Sequence, residues 1–153
     1  VEGWQWRPDM IWFDNLNSVR TVSYYVQQLY GHHKGTNVLS LMMNKKPVTG
    51  AEGQNGLFAS AVYDKNKNEI IVKVANTSDR TQPLSLKFEE LKKQDVLSGG
   101  RCIKLRSADP DKDNTIEQPS VIQPQETSVS IDGQVLSVEL EPKTFAVYIF
   151  KKG

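Results

Sequence analysis

The chain has 153 residues, with 19 Lys and Arg against 18 Asp and Glu and a formal net charge of +1. That length makes one domain, or one domain with a fragment of another, and falls short of the roughly 200 residues that a whole (β/α)8 barrel needs. Near-neutral charge with no strongly basic half excludes nucleic acid as an expected partner, and no apolar run reaches the roughly 18 residues of a membrane span.

In chain order, Met10 to Phe13 is an unbroken apolar run stopped by Asp14-Asn15, the pattern of a short strand buried on both faces, as in a parallel sheet. A polar loop through Asn17, Ser18 and Arg20 follows. From Thr21 the period changes: Val22, Tyr25, Val26, Leu29 and Tyr30 fall on one face of a helix, with Gly31 placed to end it. One strand, a loop and one helix form a βα unit, which cannot close a sheet by itself; the alternative is a lone helix docked on a β domain.

Beyond Gly35 the chain reads as short strands of period two. Leu57, Ala59, Ala61 and Tyr63 alternate with Phe58, Ser60 and Val62, a polar turn spans Asp64 to Asn68, and Ile70, Val72 and Val74 share one face of the returning strand. Leu84, Leu86 and Phe88 are the inward set of the next. Cys102, the single cysteine, lies among Ile103 and Leu105 and reads as a buried, inert thiol; alone, it excludes an internal disulfide and a Cys-based zinc site. Ser107 to Pro124, rich in Asp, Pro and Gln, reads as an extended surface loop. Thr127, Val129 and Ile131 run into Asp132-Gly133, and Leu136, Val138 and Leu140 run out of it, which predicts a hairpin. After Pro142, Thr144 to Lys151 is the most apolar segment. About eight strands at this spacing predict a mostly β fold, an antiparallel sandwich over 37–153 with one helix near 21–30 packed against it.

Residues 3–30 also carry a specific resemblance. Trp6, Pro8, Asp9, Ile11, Phe13, Asp14 and Asn15 match a W-x-P-D-x-I-x-F-D-N run, and Thr21, Tyr24 to Gln27 and Leu29 match the T-x-x-Y-Y-V-Q-x-L that follows it, in the last strand and helix of the catalytic barrel of family 51 α-L-arabinofuranosidases. Asn114, Pro119, Val121 and Pro124, with the strands after them, resemble that family's C-terminal sandwich more weakly. The resemblance implies a jelly-roll-like sandwich at 36–153, preceded at 1–35 by a strand and helix left over from a (β/α)8 barrel. It implies a longer parent enzyme, secreted or periplasmic, that releases terminal arabinofuranosyl groups from plant arabinan and arabinoxylan with retention of configuration.

Retaining hydrolysis uses two carboxyls about 5 Å apart. In the family these are glutamates on earlier barrel strands, expected upstream of Val1, so no catalytic residue is assigned here. The remaining glutamates, Glu69 among them, are expected in turns and on solvent faces. The expected partners are the upstream barrel of the same parent chain and, through it, plant polysaccharide. The family's sandwich also takes in a segment that precedes the barrel, so an open sheet edge and the apolar face of 4–30 should favour self-association. No cofactor is expected.

Trp4 and Trp6 are candidates for stacking on sugar rings, or else for packing barrel against sandwich, and Asn15 is a candidate sugar hydrogen-bonding residue at the strand's C-terminal end. Arg20 stands where some relatives carry a sugar-facing glutamine, so that role is not carried over. His32-His33 are expected exposed in a loop, because adjacent imidazoles do not chelate as an i, i+4 pair does, and no metal site is assigned. Asp109, Asp111 and Asp113 alternate as a calcium loop would begin, without its glycine or its closing glutamate. Asn76-Thr77-Ser78 is a glycosylation sequon in a turn. A carbohydrate-binding module is the competing reading of the sandwich, but it should show coplanar aromatics on one exposed face, and the strands offer only the scattered Tyr63 and Tyr148.

Overall fold

The computed structural model describes residues 9–48, 53–89, 91, 97–109 and 111–153. Two short strands, β1 (Ile11–Phe13) and β2 (Ser18–Arg20), lead into helix α1 (Val22–His32). Then come β3 (Asn37–Leu39), β4 (Met42–Met43), β5 (Lys46–Pro47), β6 (Leu57–Asp64), β7 (Glu69–Asn76), β8 (Gln82–Lys87), β9 (Leu97–Arg106), β10 (Gln125–Ser128), β11 (Val135–Leu140) and β12 (Thr144–Lys152). Six strands form one antiparallel sheet in the order β10-β9-β12-β7-β6-β3, and β11 pairs with β8 in a second layer.

Between these layers lies the inner core. Ile70, Val72 and Val74 of β7, Ala146, Tyr148 and Phe150 of β12, and Leu97 and Cys102 of β9 meet Leu136 and Leu140 of β11, with Leu84 and Leu86 of β8 at its margin. The outer face of the large sheet carries a second core, in which Ile71, Ile103, Leu105, Val147 and Ile149 pack under Tyr25 and Leu29 of α1 and Ile122 of the 107–124 segment. Strands β7 and β12 are therefore covered on both faces. That explains why Thr144 to Lys151 is nearly all apolar. The mostly β sandwich with one packed helix, the 57–64 and 69–76 hairpin and the buried Cys102 are as the sequence leads one to expect.

Two layers need crossings, and Asn76 holds two of them. It sits 1% exposed at the end of β7. Its side-chain amide donates to Arg80 O at 2.8 Å and to Leu140 O and Glu141 O at 3.0 Å, while its Oδ1 accepts from Ser78 N (3.1 Å), Ser78 Oγ (2.6 Å) and Gln82 Nε2 (3.1 Å). One side chain thus ties the β7–β8 crossing to the β11–β12 turn. The sequon reading gives way: the amide that would carry a glycan is inside and fully engaged.

Three local expectations change. Residues 18–20 are not loop but strand: β1 pairs antiparallel with β2, Trp12 opposite Val19, both 2% exposed, while Ile11 and Phe13 on the other face are 47% and 56% exposed. The parallel strand buried on both faces is replaced by a small hairpin with one buried side. Asp132-Gly133 does make a tight turn, with Asp132 N–H donating to Val135 O and Val135 N–H to Asp132 O. Its flanks then separate, β10 to β9 and β11 to β8. Alternation on both flanks satisfies a common core whether the strands pair together or lie in facing sheets, so the turn marks a corner rather than a hairpin. Finally, α1 runs through Gly31 to His32; the left-handed residue is Gly35 (φ +65°), where a Cβ would lie 2.7 Å from Val62 Cγ2.

Candidate functional site

The best-defined polar constellation surrounds the two ends of α1. At the start, Thr21 is the N-cap: its hydroxyl accepts from Tyr24 N–H at 3.3 Å and lies 2.9 Å from Asp9 O, to which it donates. The first turn of α1 holds no acidic residue, and the 107–124 segment supplies one, since Asp113 Oδ1 accepts from Val22 N–H at 3.1 Å. Beside it Asn114, 0% exposed, donates to Arg20 O (2.9 Å) and Ile122 O (2.7 Å) and accepts from Ile122 N–H (2.8 Å). The expected surface loop is therefore pinned down, with Asn114 and Ile122 buried. Asp113 caps the helix, and Asp109 accepts from Asp111 N–H at 3.0 Å in a local turn. Among the described residues no three His, Cys, Asp or Glu side chains come together as metal ligands.

The hairpin tip is set by Asp14. Its Oδ1 accepts from Leu16 N–H at 2.8 Å and Asn17 N–H at 2.6 Å, bonds that hold the carboxyl below the usual carboxylate range. Asn15 stands exposed in this turn, and Leu16 is 92% exposed. Trp4 and Trp6 lie outside the described residues.

At the other end of α1 the sequence reading misses two groups. His33, expected in solvent, is 8% exposed, and its Nδ1 is buried without a hydrogen-bond partner. Burial first, then the charges of Arg101, Lys67, Lys73 and His32, lower its pKa to about 4. Lys73, on the outer face of β7, is 4% exposed; its ammonium donates to His33 O at 2.6 Å and lies 5.1 Å from the centre of the Tyr30 ring. Burial holds the Lys73 pKa below its usual value. Tyr30 in turn stacks on Phe145 at 5.3 Å. Lys73 looks like a solvent-facing residue until one notices that Ile71, on the same face, is not.

Several of the described glutamates face cations. Glu141 meets Lys104 (3.1 Å) and Arg106 (3.5 Å), and Glu126 meets Arg101 (3.5 Å). Glu69 corrects the expectation of exposure: it is 7% exposed, with one oxygen 3.8 Å from Arg101 and the other buried and unbonded. Tyr148 is in the inner core, and Tyr63 packs partly buried against it while its hydroxyl donates to Asn68 Oδ1 at 2.6 Å.

Residues 1–144 match the family model described as the α-L-arabinofuranosidase C-terminal domain. The chain belongs to that family. Over 147 residues, 94% of its length, it is 24% identical to α-L-arabinofuranosidase 1 of Arabidopsis thaliana, of which it spans 21%. It is 34% identical over 68 residues, 41% of its length, to an extracellular exo-α-L-arabinofuranosidase of Streptomyces chartreusis, spanning 8% of that protein. The fold matches an arabinose-bound α-L-arabinofuranosidase of glycoside hydrolase family 51 with a TM-score of 0.80 at 18% identity, over 97% of this chain and 22% of that one. The chain thus spans about a fifth of the Arabidopsis protein and of the arabinose-bound enzyme, and less of the Streptomyces one.

Proposed function

We propose that the chain is the accessory sandwich of a longer α-L-arabinofuranosidase, in which 1–35 completes the catalytic barrel and 36–153 buttresses it. One observation carries this reading. Tyr25 and Leu29 of α1 share a core with strand residues of β6, β7, β9 and β12, and Asp113 and Asn114 bond to the backbone at the helix's start, so helix and sandwich hold each other in one fixed relation. A rigid joint of this kind suits a part that positions a barrel, because glycosidase carboxyls tolerate little displacement.

On this reading the piece itself is inactive, and the intact enzyme releases terminal arabinofuranosyl groups from plant arabinan or arabinoxylan by the retaining route. Trp4, Trp6 and Asn15 contribute to its sugar cleft. The half-exposed Ile11 and Phe13 and the fully presented Leu16 meet the rest of the enzyme, and in the isolated chain they favour self-association, which light scattering over a concentration series measures. The deciding experiment incubates the purified chain with a nitrophenyl arabinofuranoside beside the full-length enzyme. Turnover only by the latter is expected, and turnover by the chain alone, abolished in Asp14→Asn, would overturn the reading. Titration with arabinan and arabinoxylan oligosaccharides separates it from a carbohydrate-binding module, for which micromolar affinity is the signature.

A further inference from the structure

The polar groups where α1 ends serve neither the helix start nor the inner core. Lys73 reaches up from the middle of β7 to the carbonyl of His33, and it has little room to retreat, being 4% exposed with the Tyr30 ring beside it. The imidazole of His33 is buried next to this contact with an Nδ1 that finds no partner. The charges that lower its pKa are positive and come from four parts of the chain: Arg101 from β9, Lys67 from the β6–β7 turn, Lys73 from β7 and His32 from the last turn of α1. The acids on this face, Glu69 and Glu126, each place one oxygen near Arg101, and the other oxygen of Glu69 is buried and unbonded.

We propose that the His33–Lys73 junction is an acid-operated latch: while the imidazole is neutral, the Lys73 ammonium clasps the end of α1 to the sheet, and a proton on His33 releases that end. A second positive charge in a site with little water is repelled by the first far more strongly than it would be in solution. The latch opens at its weak point, the helix end, where the last carbonyls have the fewest internal bonds. The start of α1, held by Thr21, Asp113 and Asn114, contains no imidazole and stays closed. His33 titrating at about 4 rather than 6.5 agrees with this, since the same preference for the neutral ring in the closed state makes protonation favour the open one.

The chain has only two histidines, His32 exposed and His33 buried. The test follows both imidazoles by NMR from pH 7.5 to 3.5 and, in parallel, amide exchange protection at residues 29–33 relative to Val147 and Ile149. Expected are a His33 titration near 4 and a loss of protection at 29–33 of roughly tenfold or more between pH 6.5 and 4, with the sheet reference unchanged. His33→Gln should flatten that loss, and Lys73→Met should move the His33 titration upward. A His33 that titrates at 6.5 or above overturns the latch, as does one that titrates near 4 while protection stays constant, or an equal loss in His33→Gln. Should His33→Gln fail to fold, the wild-type titration and its exchange profile decide the matter alone.

Discussion

On the inner face of the six-stranded sheet Val72, Val74, Ala146 and Phe150 meet leucines from β8 and β11, whereas on the outer face Ile71, Val147 and Ile149 share their rows with Lys73, Glu69 and Arg101. The difference follows from what covers each side. An 11-residue helix is about 16 Å long and about 10 Å wide, less than the width of six strands spaced about 4.8 Å apart. Where its cover ends, the outer face turns polar or stays open, as at Val38, 88% exposed, and Phe58, 38% exposed. A layer of strands seals an apolar face continuously; a single helix seals a stripe and must be fastened at its ends by polar bonds.

Substitutions should divide accordingly. The largest effect is expected at the sealed face, where Phe150→Ala removes a ring that is 0% exposed and should cost about 3–5 kcal/mol in urea unfolding. Next comes the joint between layers: Asn76→Ala leaves buried carbonyls without donors and should cost about 2–4 kcal/mol by the same measurement. The outer face should respond to pH instead. His33 has a folded pKa depressed from 6.5 to about 4, so the unfolded chain binds more protons between those values. The stability present above pH 6.5 is therefore lost as pH falls toward 4, by about 1–2 kcal/mol, and His33→Gln should remove that slope in unfolding curves. Smaller still, Asp113→Ala should cost about 1 kcal/mol through the lost helix cap, seen as a lowered Tm. Least of all, Lys143→Ala breaks a 2.9 Å ion pair with the exposed Asp79, and about 0–1 kcal/mol is expected, shrinking with salt. A Lys143→Ala effect larger than that of Asn76→Ala would break the comparison.

This division also explains what could be read from the residues alone. Period-two alternation reports a face sealed by strands, so β6, β7 and β12 were legible, and Cys102 with them. The outer face follows another rule: Lys73 and Glu69 alternate with Ile70 and Val72 as solvent residues would, and nothing local says that α1 comes to lie over their neighbours. The same holds for Asn76 and Asn114, whose burial depends on carbonyls 64 and 94 residues away. Of the candidate site, the family motif locates the first strand and the helix but not the hairpin, and nothing local tells that His32 faces out while His33, the C-cap, faces in.

The position of β12 bears on the order of assembly. This last strand lies between β7 and β9, bonded to both along most of its length. As a chain emerges from the ribosome, β3, β6 and β7 can gather into one ribbon and β9 and β10 into another, but the two have no shared edge until residues 144–152 arrive. Until then each ribbon exposes the edge meant for β12, together with apolar side chains of both cores, the condition under which nascent strands pair with the wrong neighbour. The closing strand is thus a keystone set last, and the interval before its arrival is when the growing chain most needs shielding by a chaperone.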